Sequence, residues 1–210
     1  IEDKVDVAFK FAFIGSGQGG SRVAETFHKV GYRKVCAINT AQQDLNTLKS
    51  LENKFCFGEG GAGKDPFKAA KCFKDAKEDV LDFMRRSFGD EFDRIFVCVG
   101  GGGGTGTGTM IQLVDAAIEL QETLGIEAPI GLILSLPKKS EGKRVNANAA
   151  TCLRDAYELV EKGKVSPLIL VDNEKITKMY PRLAISKFWE TANMSVAGVF
   201  HLYNLTASKD

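Results

Sequence analysis

Three glycine-rich segments hold the residues of this 210-residue chain that are best suited to chemistry. They span residues 15–20, 58–63 and 100–108 and contain fifteen of the 22 glycines. Glycine that clusters in this way indicates backbone that turns tightly or approaches another group closely. Successive N–H groups of such a loop bind an anion, and the N-terminus of a following helix adds partial positive charge. The segments therefore predict a phosphate-binding site.

The segment 100–108 is the most informative of the three, because it joins a strongly apolar strand pattern to a helix pattern. Thr105 and Thr107 add hydroxyl donors without adding charge. A flexible linker is the alternative interpretation. It is disfavoured, because linkers rarely join a buried strand to a helix without serine or proline.

The other two glycine segments leave alternatives to be weighed. Residues 15–20 fit GxGxxG, which suggests a dinucleotide site, but that site needs an acidic residue about 20 positions later. The second strand instead ends at Asn39 and Thr40, which counts against NAD. Residues 58–64 fit GxxxxGK, yet Asp65 stands where a P-loop needs Ser or Thr for magnesium. We reject the P-loop, and interpret Asp65 as the cap of a helix that opens with Pro66.

Strand patterns alternate with helix patterns along the chain. The strands are predicted at 7–14, 34–39, 54–57, 94–99, 130–136 and 168–171, and the helices at 21–30, from 65 onward, 107–124, 144–161, from 173 and 183–205. This alternation predicts an α/β fold with a doubly wound, mostly parallel sheet and helices on both faces. Ligands of such sheets bind at the carboxyl ends of the strands, where all three glycine segments fall.

Composition excludes several classes of function. The 28 basic and 27 acidic side chains give a formal charge of +1, so no basic excess supports direct nucleic-acid binding. No apolar stretch reaches the roughly 18–20 residues of a membrane helix, so we expect no membrane insertion. The five cysteines are scattered without a CxxC pair and there are two histidines, which argues against a disulfide framework or a protein metal site. We expect reduced thiols and a cytoplasmic location.

Residues 102–108, GGGTGTG, resemble the signature of the tubulin/FtsZ superfamily of filament-forming GTPases. The resemblance continues in order along nearly the whole chain. Residues 17–22, 37–40 and 61–66 resemble the first, second and third nucleotide loops, and 136–144 and 171–174 are similar to the ribose loop and the guanine-reading segment.

The resemblance implies that the chain binds GTP or GDP, with main-chain amides holding the phosphates and Mg²⁺ carried with the nucleotide. Glu141 would contact the sugar, Asn173 and Asn193 would read guanine, and Trp189 would stack on the base. Trp189 and Asn193 stand four apart, which puts both on one helix face. The implied GTP-binding residues are Gly17, Gln18, Gly19, Gly20, Ser21, Arg22, Asn39, Ala62, Gly63, Lys64, Gly102, Gly103, Gly104, Thr105, Gly106, Thr107, Glu141, Arg144, Asn173, Trp189 and Asn193.

Some positions depart from the family pattern. Ala41 stands where many relatives carry an acidic residue, so Gln42 or Asp44 would have to support magnesium. Val145 stands where division proteins of the FtsZ type often have arginine, which leaves Arg144 as the phosphate or ribose contact. The ribose loop and residues 39–45 look more like plasmid- and phage-encoded tubulins of the TubZ type than like FtsZ.

The resemblance also implies an organisation and a role. Residues 1–182 would form the GTP-binding domain, and 183–210 a core helix leading to a C-terminal activation domain absent from this chain. Subunits would polymerise head-to-tail, and an acidic loop of the next subunit would complete hydrolysis, so no catalytic residue is expected here and the isolated chain should be inactive. The filament would segregate plasmid or phage DNA through an adaptor protein.

Three other readings of function stay open. Within the family, the alternative is a cell-division ring GTPase. Outside it, the alternatives are a guanine-nucleotide binding module that does not hydrolyse and an NAD-binding Rossmann domain.

Overall fold

The computed structural model describes residues 9–62 and 64–179, which form one sheet with helices on both of its faces. The strands are β1 (Phe11–Ser16), β2 (Val35–Asn39), β3 (Lys54–Cys56), β4 (Arg94–Gly100), β5 (Ile130–Leu136) and β6 (Val165–Asp172). The helices are α1 (Gly17–Lys29), α2 (Gln42–Asn46), α3 (Pro66–Phe88), α4 (Gly104–Thr123), α5 (Lys143–Glu161) and α6 (Asn173–Met179), with a 3-10 turn at Lys139–Glu141.

The six strands lie in the order β3-β2-β1-β4-β5-β6, and every neighbouring pair is parallel. The predicted α/β, doubly wound fold is confirmed, and among the described residues the sheet is wholly parallel. Chain order reverses between β1 and β4, where Ile14 is in register with Val97. A doubly wound sheet binds its ligand in the crevice beyond such a reversal, at the carboxyl ends of the strands.

Side chains alternate between two apolar cores, one on each face of the sheet. Ile14 packs with Phe73 of α3 and Leu113 of α4 on one face. Phe13 faces the other way and stacks on Phe27 of α1, with ring centroids 4.1 Å apart. Strand β1 is therefore covered by helices on both sides.

The cysteines match the expectation of reduced thiols. All five lie in the described part of the chain and are free, and Cys36, Cys98 and Cys152 are buried. Burial is the main cause that raises the pKa of Cys152 to about 12, so this thiol stays protonated at neutral pH.

Several element boundaries differ from the sequence prediction. Helix α1 begins at Gly17 instead of 21, and α4 at Gly104 instead of 107. Glycine is a poor helix former, so the pattern placed these residues in loops, but close packing of the helices on the strands overrides that preference. Strand β6 begins at Val165 instead of 168 and includes Pro167, which is tolerated because β6 is an edge strand.

Helix α3 begins as its sequence predicts. Asp65 is the N-cap, and its carboxylate accepts hydrogen bonds from the N–H groups of Phe67 and Lys68. The carboxylate of Asp65, which argues against a P-loop, therefore has a capping role.

We expect Asp65→Ala to lower the free energy of unfolding by about 1 kcal/mol, because two helix N–H groups lose their acceptor. Asp65→Asn is the matched control, since asparagine caps a helix about as well as aspartate. Urea denaturation of both variants makes the comparison, and equal destabilisation by alanine and asparagine would contradict the capping role.

Among the residues that the structure describes, no helix is both long enough and apolar enough to cross a membrane. The helix predicted at 183–205 lies outside the described residues.

Candidate nucleotide-binding cleft

A cleft of about 710 Å³ opens at the carboxyl edge of the sheet, and the segments that follow all six strands contribute to its wall. The topology thus brings the three glycine segments together, as the sequence predicts. The predicted residues that line the cleft are Gly17, Gln18, Gly19, Arg22, Asn39, Ala62, Lys64, Gly102, Gly103, Gly104, Thr105, Gly106, Glu141 and Asn173.

The glycine run between β4 and α4 is required for close approach. Within residues 100–108 no glycine has a positive φ. A Cβ on Gly104 would lie 2.7 Å from the nitrogen of Asp65, and one on Gly106 would lie 2.7 Å from the carbonyl oxygen of Gly100. Gly103 differs, because a Cβ there would meet no protein atom within 4 Å. Gly103 is the N-cap of α4 on the cleft wall, so the space beside it is open to a ligand.

Not every amide of the run is available to an anion. The N–H of Gly101 donates to the carbonyl of Ser135 at 2.7 Å, and that of Gly102 donates to Gly100 at 3.1 Å. The first N–H groups of α4, by contrast, have no carbonyl acceptor within their own helix. The amides of this run that are available to an anion are therefore those at the start of α4, and Gly102 contributes shape to the wall.

A network of polar side chains joins the second loop to the start of α4. The hydroxyls of Thr40 and Thr105 lie 2.8 Å apart, and Thr105 also donates to Oδ1 of Asn39 at 3.3 Å. The same Oδ1 accepts from the N–H of Ala41, while Nδ2 of Asn39 donates to Asp44 at 3.4 Å. These contacts fix the first turn of α4 relative to β2.

A second pair of hydroxyls joins the same helix to β1. Ser16 Oγ lies 2.7 Å from Thr109 Oγ1, and Thr109 donates to the carbonyl of Thr105. Ser16 and Thr109 are both fully buried. Hydroxyl groups thus connect α4 to the ends of both β1 and β2. These contacts make the N-terminus of α4 a rigid wall of the cleft.

The segments after β5 and β6 supply a carboxylate and an amide. Glu141 lines the cleft and accepts a hydrogen bond from the N–H of Lys138 at 2.6 Å, which closes the 3-10 turn. Asn173 is 2% exposed, and its Nδ2 donates to Ser135 Oγ at 3.0 Å. Its Oδ1 is buried without a hydrogen-bond partner among the described residues.

Cations and anions are balanced on the wall of the cleft. Among the residues that the structure describes, Arg22 and Lys64 are its cations, and Asp44 and Glu141 are its carboxylates. Because the side-chain charges cancel, attraction for an anion comes mainly from the N-terminus of α4.

A side chain of α5 connects two of the loops. Asn148 donates hydrogen bonds to the carbonyls of Lys64 and Gly102 and so holds the third loop against the glycine run.

Some predicted residues are not brought to the cleft. The structure does not place Gly20, Ser21, Thr107 or Arg144 on its wall. Gly20 serves the packing of α1 on β4, since a Cβ there would lie 2.1 Å from the carbonyl oxygen of Cys98. Arg144 is exposed at the start of α5. Gly63, Trp189 and Asn193 lie outside the described residues.

Sequence reasoning missed other residues of the cleft. Ser16 and Ser135 lie at the ends of β1 and β5, and Thr40 directly follows β2. Their positions could have been found from the topology alone, because every strand end of a parallel sheet meets this edge. Of the lining residues that were not named one by one, Ser16, Thr40, Gly60, Gly61 and Pro137 lie within the predicted glycine segments and loops, whereas Gln43 and Ser135 lie outside them.

Two curated proteins are similar in sequence to this chain. Tubulin-like protein TubZ of Bacillus cereus is 26% identical over 231 residues, covering 99% of this chain and 50% of that protein. Tubulin-like protein CetZ of Methanothrix thermoacetophila is 33% identical over 169 residues, covering 76% of this chain and 42% of that protein. The chain thus spans about half the length of the curated relatives it matches.

A solved structure shares the fold. CetZ2 from Haloferax volcanii, in a GTPγS-bound protofilament, superimposes with a TM-score of 0.81 at 23% identity, covering 95% of this chain and 59% of that one. Residues 10–181 match the tubulin/FtsZ family, GTPase domain. The chain therefore belongs to the tubulin/FtsZ family.

Proposed function

We propose that the cleft binds GTP and GDP, and that the chain is the nucleotide domain of a tubulin-like GTPase. The observation that carries this proposal is the N-terminus of α4, which reaches the cleft with its exposed N-cap Gly103 and with Gly104 to Gly106, in the same cleft as the buried amide of Asn173. The amides at the N-terminus of α4 suit phosphates, and the side-chain amide of Asn173 suits the polar edge of a base. The GTPγS-bound CetZ2 protofilament supports a guanine nucleotide.

The role of each wall follows from its chemistry. The amides at the start of α4 would hold the phosphates, and Thr105, whose hydroxyl donates to Asn39, would keep the first turn of that helix in place. Lys64 is exposed at the rim and would reach the outermost phosphate. Glu141 would accept from a ribose hydroxyl with the capacity left after it caps the 3-10 turn.

Magnesium would enter with the nucleotide. Across residues 9–62 and 64–179, no group of three or more His, Cys, Asp or Glu side chains could hold a metal ion. Asp44 lines the cleft, whereas Gln42 is exposed and donates a side-chain hydrogen bond to Asn46. Of the two substitutes for an acidic residue at 41, Asp44 is therefore the one that fits. A single carboxylate combined with phosphate oxygens is a usual arrangement for Mg²⁺ in nucleotide sites.

We propose that hydrolysis needs a second subunit that assembles head-to-tail on the cleft. The two carboxylates of the described wall are engaged, Asp44 with Asn39 and Glu141 with the N–H of Lys138. With Asp44 assigned to Mg²⁺ and Glu141 to the ribose, the described wall offers no further carboxylate to orient a water molecule beside the outermost phosphate, so that group would come from the neighbouring copy. The GTPγS-bound protofilament of CetZ2 supports self-association.

Phosphate release should test this division of labour. We expect the 210-residue chain to bind GTP with micromolar or better affinity but to show no turnover that rises with its own concentration. A longer protein that also contains a segment equivalent to the second half of the relatives should hydrolyse GTP at a rate per subunit that rises cooperatively with protein concentration. Steady turnover by the 210 residues alone would show that they carry their own catalyst.

Nucleotide competition separates the remaining classes of function. GTP and GDP should displace a fluorescent GTP analogue, whereas NAD should not, because uncharged Asn39 stands at the end of β2 where a ribose-binding carboxylate would be needed. A guanine-nucleotide module without an assembled GTPase would bind equally well, but the longer protein would show no concentration-dependent turnover.

The cellular role that we propose is the positioning of plasmid or phage DNA by the filament, through an adaptor protein. Similarity to TubZ over 99% of the chain supports this branch of the family. Localisation of a tagged full-length protein in its host would test it. Foci that follow a plasmid or phage genome are expected, and a ring at midcell would favour the cell-division alternative.

A further inference from the structure

The carboxyl ends of β5 and β6 place a serine hydroxyl against the buried amide of Asn173. Ser135 is in register with Val171, two residues before Asn173. Both Ser135 and Asn173 line the cleft, and they are 8% and 2% exposed. Ser135 Oγ lies 3.0 Å from Asn173 Nδ2, and the hydroxyl of Thr177 donates to the main-chain carbonyl of Asn173.

An asparagine amide reads a base only if its orientation is fixed. Rotation by 180° about the last side-chain bond exchanges an acceptor for a donor, which would invert the preference for the base. With Nδ2 donating to Ser135, the atom left without a partner among the described residues is Oδ1. A buried amide oxygen without a donor is costly, so a ligand that brings an N–H group to it gains affinity.

We propose that Ser135 is a positioning residue for base selection: its hydroxyl oxygen acts as the acceptor for Nδ2 of Asn173 and so leaves Oδ1 to accept from the N–H groups of a guanine edge. The inference rests on the proposed function and deepens it. Guanine presents two donors on that edge, a ring N–H and the 2-amino group. Adenine presents an unprotonated ring nitrogen at the same place, which an amide oxygen repels. Ser135 therefore acts on selectivity through Asn173, without touching the phosphates.

Dissociation constants for GTP and ATP test the proposal in the wild-type chain, Ser135→Ala and Ser135→Thr. We expect Ser135→Ala to lower the GTP-over-ATP ratio about three- to tenfold, the usual value of one hydrogen bond. Ser135→Thr keeps the hydroxyl and should keep the ratio. Ser166→Ala is the matched control, because Ser166 is exposed near the start of β6 and does not line the cleft. Thermal melting of each variant establishes that it is folded.

A double-mutant cycle with Asn173→Ala shows whether Ser135 acts through the amide. The variant lacking both side chains should have the same GTP-over-ATP ratio as Asn173→Ala alone. Additive losses would overturn the proposal, as would an unchanged ratio in Ser135→Ala or equal losses in the alanine and threonine variants. A wild-type chain with no preference for GTP over ATP would instead contradict the proposed function itself.

Discussion

Replacing Gly103 by aspartate should severely weaken nucleotide binding while leaving the fold intact. Gly103 has φ −77° and ψ 166°, which any residue adopts, and a Cβ there meets no protein atom within 4 Å. Aspartate is also a better N-cap than glycine, so α4 should gain stability. The same carboxylate would stand beside the phosphates. At about 5 Å and an effective dielectric constant of about 20, two unit charges repel by about 3 kcal/mol. GTP affinity should therefore fall by a hundredfold or more.

Gly103→Asn is the control for this experiment, because it has the same shape and capping capacity without the charge. Isothermal titration calorimetry should find it much closer to wild type than Gly103→Asp. If both variants bind GTP like the wild type, the glycine run is only a connector. Gly104 is a poorer probe, since a side chain there would collide with Asp65 and with Ala62, and lost binding could reflect a damaged fold.

Asn173→Ala should remove most of the preference for guanine over adenine nucleotides. The loss is expected at about 1–3 kcal/mol, since the donors on the guanine edge would be buried without an acceptor. Affinity for ATP should change little, which distinguishes this effect from a general collapse of the cleft. Competition between GTP and ATP for a fluorescent nucleotide gives both values.

Asn53→Ala provides the comparison, because Asn53 is exposed just before β3 and does not line the cleft. It should leave both affinities at their wild-type values. Loss of GTP and ATP binding to the same extent in Asn173→Ala would show that the amide supports the loop and does not read the base.

The sequence predicted the layers of this fold well, because period and chain order determine them. Alternation of strands and helices was sufficient for a parallel sheet, and Asp65 with Pro66 predicted the start of α3. The predicted starts of α1 and α4 are too late in the chain, because glycine is found in these helices only where another part of the fold packs closely against it. That Gly20 packs on β4 and Gly106 on Gly100 is tertiary information.

The same limit explains the parts of the cleft that were missed. The glycine loops and Asn173 were predicted from motif and resemblance, and the structure brings them to one wall. Ser135 belongs to no motif, and its importance arises from the register of β5 on β6. Asn148 is one helix turn beyond the ribose loop, and no pattern indicates that it bonds to Lys64 and Gly102.

The buried hydroxyl pair between β1 and α4 has a consequence for the substitutions that evolution tolerates at these two positions. Ser16 and Thr109 are 93 residues apart in the chain, yet their oxygens are separated by 2.7 Å with no access to solvent. Loss of the threonine hydroxyl leaves that of Ser16 unpaired, at a cost of about 1–3 kcal/mol, whereas apolar residues of similar shape at both positions are nearly neutral. Lineages that lose the hydroxyl at 109 should therefore lose the one at 16 as well, and the two positions should covary among homologues.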